Sequence, residues 1–171
     1  MNSAAGGALR STHVIETAVE SSGAGKPGEP CYLREVTRLN NYLKPDVFAD
    51  MQSISILAMA HVGDAVFELM VRTWLCMGGV ATSKRLHNET IVFVSAKAQA
   101  EAAVKVLPEL SEEERAVFKR GRNAHVNTVP HSSTYDEYHT ATGVEALFGY
   151  LYLKGESDRL SVLFEIIVDG K

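Results

Sequence analysis

From Tyr32 onward the apolar residues recur at helical spacing, and no segment alternates apolar and polar residues between hairpin turns. The expected fold is all-α. Residues 54–75 are long and apolar almost all round, which predicts a central buried helix. Residues 84–94 and 96–107 predict two more, the second rich in Ala, Lys, Gln and Glu, all good helix formers. Ser111 and Glu114 form a capping box at the start of a further helix, whose last turn holds Lys119 and Arg120. Gly121 suits the position just beyond, so that helix reads as bounded at both ends. Residues 121–133 lack periodicity and read as a loop. Thr134 and Glu137 repeat the capping box and open a helix to about Lys154, and residues 156–168 predict a closing amphipathic helix.

Composition narrows the picture. A chain of 171 residues, 46% hydrophobic and 22% charged, can bury one sizeable core and is globular in type. No window approaches about 18 consecutive apolar residues, so no membrane partner is expected. A net charge of −4 argues against whole-surface binding to nucleic acid or anionic lipid, although not against a local basic patch. Cys31 and Cys76 are isolated, so neither a disulfide framework nor a zinc site is indicated and a reducing, cytoplasmic setting is expected. Residues 1–44 are expected to be a disordered or loosely structured N-terminal extension, with a Gly/Pro/Ser-rich stretch over 21–30 that reads as linker. The functional domain is expected over 45–171.

Two residues are wrong for a core. Between residues 54 and 71 the only carboxylates are Asp64 and Glu68, and Gly63 directly precedes Asp64. Both Gly and Asp are poor interior helix residues, at about 1 kcal/mol for Gly relative to Ala. Glu145 is the sole charge in residues 141–153. Burying an unpaired carboxylate costs several kcal/mol, so something must compensate. Glu68 has Arg72 four residues on as an ion-pair partner, whereas Asp64 has no such neighbour. Two lone carboxylates meeting across a bundle suit a hard divalent cation such as Mg²⁺, which could activate water against a phosphate. The spacing leaves a metal site and a structural ion pair both open.

A basic patch follows. Between Arg115 and Tyr135 there is no acid, while Lys119, Arg120 and Arg122 are basic and His125 and His131 can become so. Lys119 and Arg120 serve the helix dipole as readily as RNA. Arg122, Asn123, Asn127 and Thr128 are expected in the loop, where phosphate contact is the better reading. No aromatic is interleaved, so a duplex backbone is the more natural target than a stacked single strand.

These residues carry a resemblance. The blocks A-H-V-G-D-A-V-F-E (60–68), V-S-A-K-A-Q-A-E (94–101), K-R-G-R-N-A (119–124) and E-A-L-F-G-Y-L-Y-L (145–153) occur in the order found in Mini-III enzymes. Those are short ribonuclease III-type enzymes that carry the catalytic domain without a separate double-stranded-RNA-binding domain. The resemblance implies an all-α endonuclease domain working as a homodimer, dependent on Mg²⁺ with Mn²⁺ as a substitute, and cutting both strands of double-stranded RNA. Asp64 takes the place of the family's catalytic aspartate and Glu145 that of its metal-binding glutamate. Lys97 in the S-A-K block, and Arg122 with Asn123, match positions that face RNA. The implied substrate is the 23S ribosomal RNA precursor, with ribosomal proteins as candidate associates, and the products carry 5′-phosphate and 3′-hydroxyl ends.

The sequence also departs from the family. Ala60 and Thr142 stand where ribonuclease III proper has further acids, which implies a sparser metal shell, and His61 replaces the usual aromatic before the V-G-D. His125 and His131 replace lysines common in the basic loop, so RNA affinity is expected to rise toward pH 6. The alternative to an enzyme is a catalytically inactive helical RNA-binding or ribosome-assembly factor on the same scaffold.

Overall fold

The computed structural model describes residue 43 and residues 51–125 and 133–169. The extension expected over 1–44 lies outside them apart from Leu43, as do Thr128 and His131. A short 3₁₀ turn at Met51–Ser53 precedes α1 (Ile56–Met77), α2 (Ser83–Val94) and α3 (Ala96–Val106). A second 3₁₀ turn at Leu107–Glu109 leads to α4 (Glu112–Arg122), α5 (Tyr135–Leu153) and α6 (Ser157–Val168). No strand occurs among the described residues, so the fold is all-α as the spacing predicts.

Local chemistry sets the helix starts. The hydroxyls of Ser55, Thr82 and Ser95 accept from the backbone N–H groups of Ala58, Arg85 and Ala98, satisfying donors that a helix start leaves free. Ser95 both ends α2 and caps α3, so one residue makes that corner. Both capping boxes form: Glu114 and Glu137 each accept from the cap backbone N–H at 2.8 Å. Their own N–H groups donate back to Ser111 and Thr134 at 3.2 Å.

Helix α5 is the central element, buried along nearly its whole length from Ala141 to Leu151, with α1, α3, α4 and α6 packed on it. Val144, Leu147 and Phe148 from α5 meet Phe67 and Val71 from α1 and Leu163 and Phe164 from α6. The Phe67 ring stands edge-on to Phe148 (5.1 Å between centroids) and to Phe164 (6.1 Å), an arrangement aromatic quadrupoles favour. The sequence predicts the buried central helix at 54–75, and here the structure differs. Helix α1 buries only one face and leaves Leu57, Leu69 (54% exposed) and Met77 (84%) open to solvent. Among the described residues no helix is long and apolar enough to cross a membrane.

Candidate active site

The site begins at two glycines. A Cβ built on Gly63 of α1 would overlap the carbonyl oxygen of Glu145 and lie 2.5 Å from the backbone nitrogen of Gly149. A Cβ on Gly149 of α5 would in turn overlap the carbonyl of Met59 and come within 2.9 Å of the Gly63 nitrogen. The two helices therefore cross backbone on backbone, which only a residue without a side chain permits. Gly63, unfavourable by propensity, is required by this contact. Because Asp64 follows Gly63, and Glu145 supplies the carbonyl that Gly63 touches, the crossing brings the two lone carboxylates into one site.

Their electrostatics follow. Burial pushes the Glu145 carboxyl up to about 7, and the nearby charge of Asp64 adds to the rise. Asp64 is exposed, yet the surrounding protein withdraws enough water to raise its pKa as well, helped by the charge of Glu68 and opposed by His61. Glu68 forms the expected pair with Arg72, whose Nε donates to Oε1 at 2.9 Å and whose Nη2 reaches the same oxygen. Among the described residues no Lys or Arg is paired with Asp64 or Glu145, in contrast to Glu68.

Gln99 of α3 lies near Glu145. It is 0% exposed, and neither its Oε1 nor its Nε2 has a hydrogen-bond partner. It lies close enough to favour the ionised form of Glu145, although without the geometry of a full hydrogen bond. Among the described residues no group of three or more His, Cys, Asp or Glu side chains is placed to hold a metal. Two carboxylates alone suit a hard cation that keeps water or substrate oxygens for the rest of its shell, as Mg²⁺ does. The charge repulsion at the crossing and the idle amide of Gln99 fit such a guest.

Comparison with known proteins bears on this geometry. The Ribonuclease III domain family matches residues 57–156, a span that holds both glycines and both carboxylates. The chain is 45% identical over 116 residues to the Mini-ribonuclease 3 of Thermoanaerobacter sp. (strain X514), covering 68% of this chain and 82% of that protein. It is 37% identical over 131 residues to the Mini-ribonuclease 3 of Brevibacillus brevis, covering 75% of this chain and 98% of the other. A crystal structure of a protein from Fusobacterium nucleatum superposes with a TM-score of 0.65 at 30% identity, covering 71% of this chain and 97% of that one. The chain belongs to the ribonuclease III family, in its Mini-III branch. It is an endoribonuclease.

The described residues expected from the sequence to face RNA lie near the ends of helices. Lys97, in the first turn of α3, is exposed, and its charge reaches Glu137 in the first turn of α5. Lys119 and Arg120 are exposed in the last turn of α4. Arg122 and Asn123 differ from their expected place in a loop: Arg122 is the final residue of α4 and Asn123 is its C-cap. Gly121 is inside α4, and a Cβ there would lie 2.6 Å from the Ala146 Cβ, so it serves close packing on α5 and not termination. Arg122 Nη2 donates to Asp136 Oδ1 at 2.7 Å, and His125 is exposed beside this pair. Glu145 is ten residues along α5 from Tyr135, about 15 Å at 1.5 Å per residue.

Two polar residues escape the sequence reading. Gln99 looks like an ordinary helix former within the Ala-rich α3. His139 is buried at the α4–α5 junction, where its Nδ1 donates to the Arg122 carbonyl at 2.8 Å, while Nε2 has no partner. Tyr135 stacks obliquely on the His139 ring at 4.1 Å. That bond ties the end of α4 to the start of α5 and so fixes where Arg122 and Asn123 stand.

Proposed function

We propose that this endoribonuclease hydrolyses double-stranded RNA with a divalent cation, Mg²⁺ or in its place Mn²⁺, held by Asp64 and Glu145. The observation that carries the reading is the backbone crossing at Gly63 and Gly149, beside two carboxylates that no Lys or Arg among the described residues pairs. A bound cation supplies an activated water and stabilises negative charge developing on the phosphate. The chain's own groups do the rest. Asp64 and Glu145 would hold the cation through their carboxylate oxygens, Glu145 in its deprotonated form. Lys97, Lys119, Arg120, Arg122 and Asn123, with His125, Thr128 and His131, bind the duplex backbone and set the scissile phosphate against the carboxylates. Water oxygen bonds to phosphorus and the bond to the 3′ oxygen breaks, leaving 5′-phosphate and 3′-hydroxyl ends.

The working form is a homodimer that cuts both strands. The open face of α1, with Leu57 and Leu69 on the same helix as Asp64, supports a second copy seated there. The Mini-ribonuclease 3 relatives support a substrate among duplex RNAs, and we take it to be the 23S ribosomal RNA precursor in the cytoplasm, where ribosomal proteins are candidate associates. Residues 45–171 are the catalytic unit, to which 1–44 is appended.

The test is incubation of the purified protein with long double-stranded RNA in Mg²⁺ or EDTA, beside Asp64→Asn. Fragments are expected only from wild type in Mg²⁺, with RNA binding retained by the variant. Cleavage that survives in Asp64→Asn would show the site to be elsewhere. Intact RNA in every lane, with binding kept, would make the protein an inactive RNA-binding scaffold.

A further inference from the structure

Gln99 is the least explicable side chain in the interior. Its neighbours along α3 are Ala98, Ala102, Ala103 and Val106, all buried and apolar, and Gln99 itself is wholly shielded from solvent. Both amide atoms are unsatisfied, and leaving a buried polar group unpaired costs about 1–3 kcal/mol. A Met of the same length would fill the space without that penalty. Native interiors rarely keep such a group without a use for it. Helix α3 packs on α5, which carries Glu145, and the Gln99 amide stands near enough to that carboxyl to favour its ionised form. The opposite influences on the Glu145 carboxyl are its burial and, from α1, the charge of Asp64.

We propose that Gln99 is a positioning residue for Glu145. When the carboxylate pair takes up a divalent cation, the Gln99 Nε2–H donates to one oxygen of Glu145 and leaves the other turned toward Asp64. This deepens the reading of Asp64 and Glu145 as the cation-holding pair and rests on it. The amide is suited to the task because it carries no charge. A lysine there would neutralise Glu145 and displace the cation, whereas an apolar side chain would leave the carboxylate free to rotate away. Groups that orient a metal ligand from behind commonly change metal affinity ten- to a hundredfold when removed.

The experiment is a cation titration of the full chain without RNA, reading the thermal midpoint in Mg²⁺ and separately in Mn²⁺. It compares wild type, Gln99→Met, Glu145→Gln and the double variant. Gln99→Met should melt at or above the wild-type temperature without cation, yet need about tenfold more cation for the same upward shift. In the Glu145→Gln background Gln99→Met should change nothing further, because the group it orients is gone. In cleavage assays the cation midpoint should rise tenfold while the KM for RNA stays put. Equal cation dependence in wild type and Gln99→Met would overturn the proposal. A wild type that shows no cation response at all would instead overturn the carboxylate-pair reading, and is told apart by that. Should Gln99→Met fail to fold, Gln99→Leu replaces it, and failure of both would make Gln99 purely structural and end the proposal.

Discussion

Two glutamates withdrawn from solvent meet opposite fates in this molecule. Glu114, in the first turn of α4, is only 8% exposed and is surrounded by donors. Arg159 reaches it through Nε at 2.7 Å and Nη2 at 2.9 Å, and the Ser111 N–H donates at 2.8 Å. Its pKa falls, chiefly through the Arg159 bonds. Glu145, on α5, has a second carboxylate and an idle amide for company, and its pKa rises to about 7. The residue type is the same. Burial opposes the charge of both, and donors outweigh it at Glu114 but not at Glu145.

The comparison breaks hardest if the crossing itself is lost. Gly63→Val or Gly149→Val places carbon where the opposing backbone stands, so α1 and α5 cannot meet. The expected loss exceeds about 4 kcal/mol and is read as absence of a cooperative thermal transition by circular dichroism. Arg159→Ala is next, at about 3 kcal/mol, since it strands Glu114 and frees the Glu109 carbonyl that Arg159 also serves. Glu114 has a folded pKa below its unfolded one, so its contribution is present above about 4.5 and fades as pH falls through the folded value. The gap between wild type and Arg159→Ala in denaturant melts should therefore shrink in acid.

Glu145→Gln should act with the opposite sign. In cation-free solution the native state holds the Glu145 proton up to about 7, while the unfolded chain releases it near 4.5. Stability therefore declines as pH rises between those values. The neutral variant escapes that decline, and by pH 8 should be the more stable by up to roughly 3 kcal/mol, with little difference at pH 4. Denaturation midpoints at the two pH values check this, and a wild type more stable than the variant at pH 8 would refute it. The smallest effect belongs to Arg122→Ala. Its pair with Asp136 is exposed, so stability should move by less than about 0.5 kcal/mol. A fall in duplex RNA affinity in that variant, measured by gel shift, then reports contact and not folding.

Much of this was legible in the residues because the signals are local. The capping boxes at Ser111 and Thr134 depend on four consecutive residues each, and the Glu68–Arg72 pair on one helical turn. Asp64 and Glu145 stand out as charges in apolar runs, which any burial makes conspicuous. What the sequence hides is tertiary. Gly121 reads as a helix terminator, but the approach of Ala146 from α5 gives it a different purpose. Gln99 is camouflaged by its good helix propensity, and nothing along the chain reveals that α3 turns it inward. Apolar residues all round α1 suggest full burial, while the single chain leaves one face bare.

The glycine crossing also limits how the site can be retuned. Where helices are spaced by interleaved side chains, a methyl added or removed shifts the gap by fractions of an ångström, and the distance between groups they carry can drift. Here the gap is set by main chain resting on main chain, which has no smaller setting. The reach of the two acids, and not the separation of their helices, is thus the adjustable dimension. If the pair holds a cation as proposed, a change of preferred ionic radius would have to come from lengthening Asp64 or shortening Glu145, with the scaffold beneath them left as a fixed ruler.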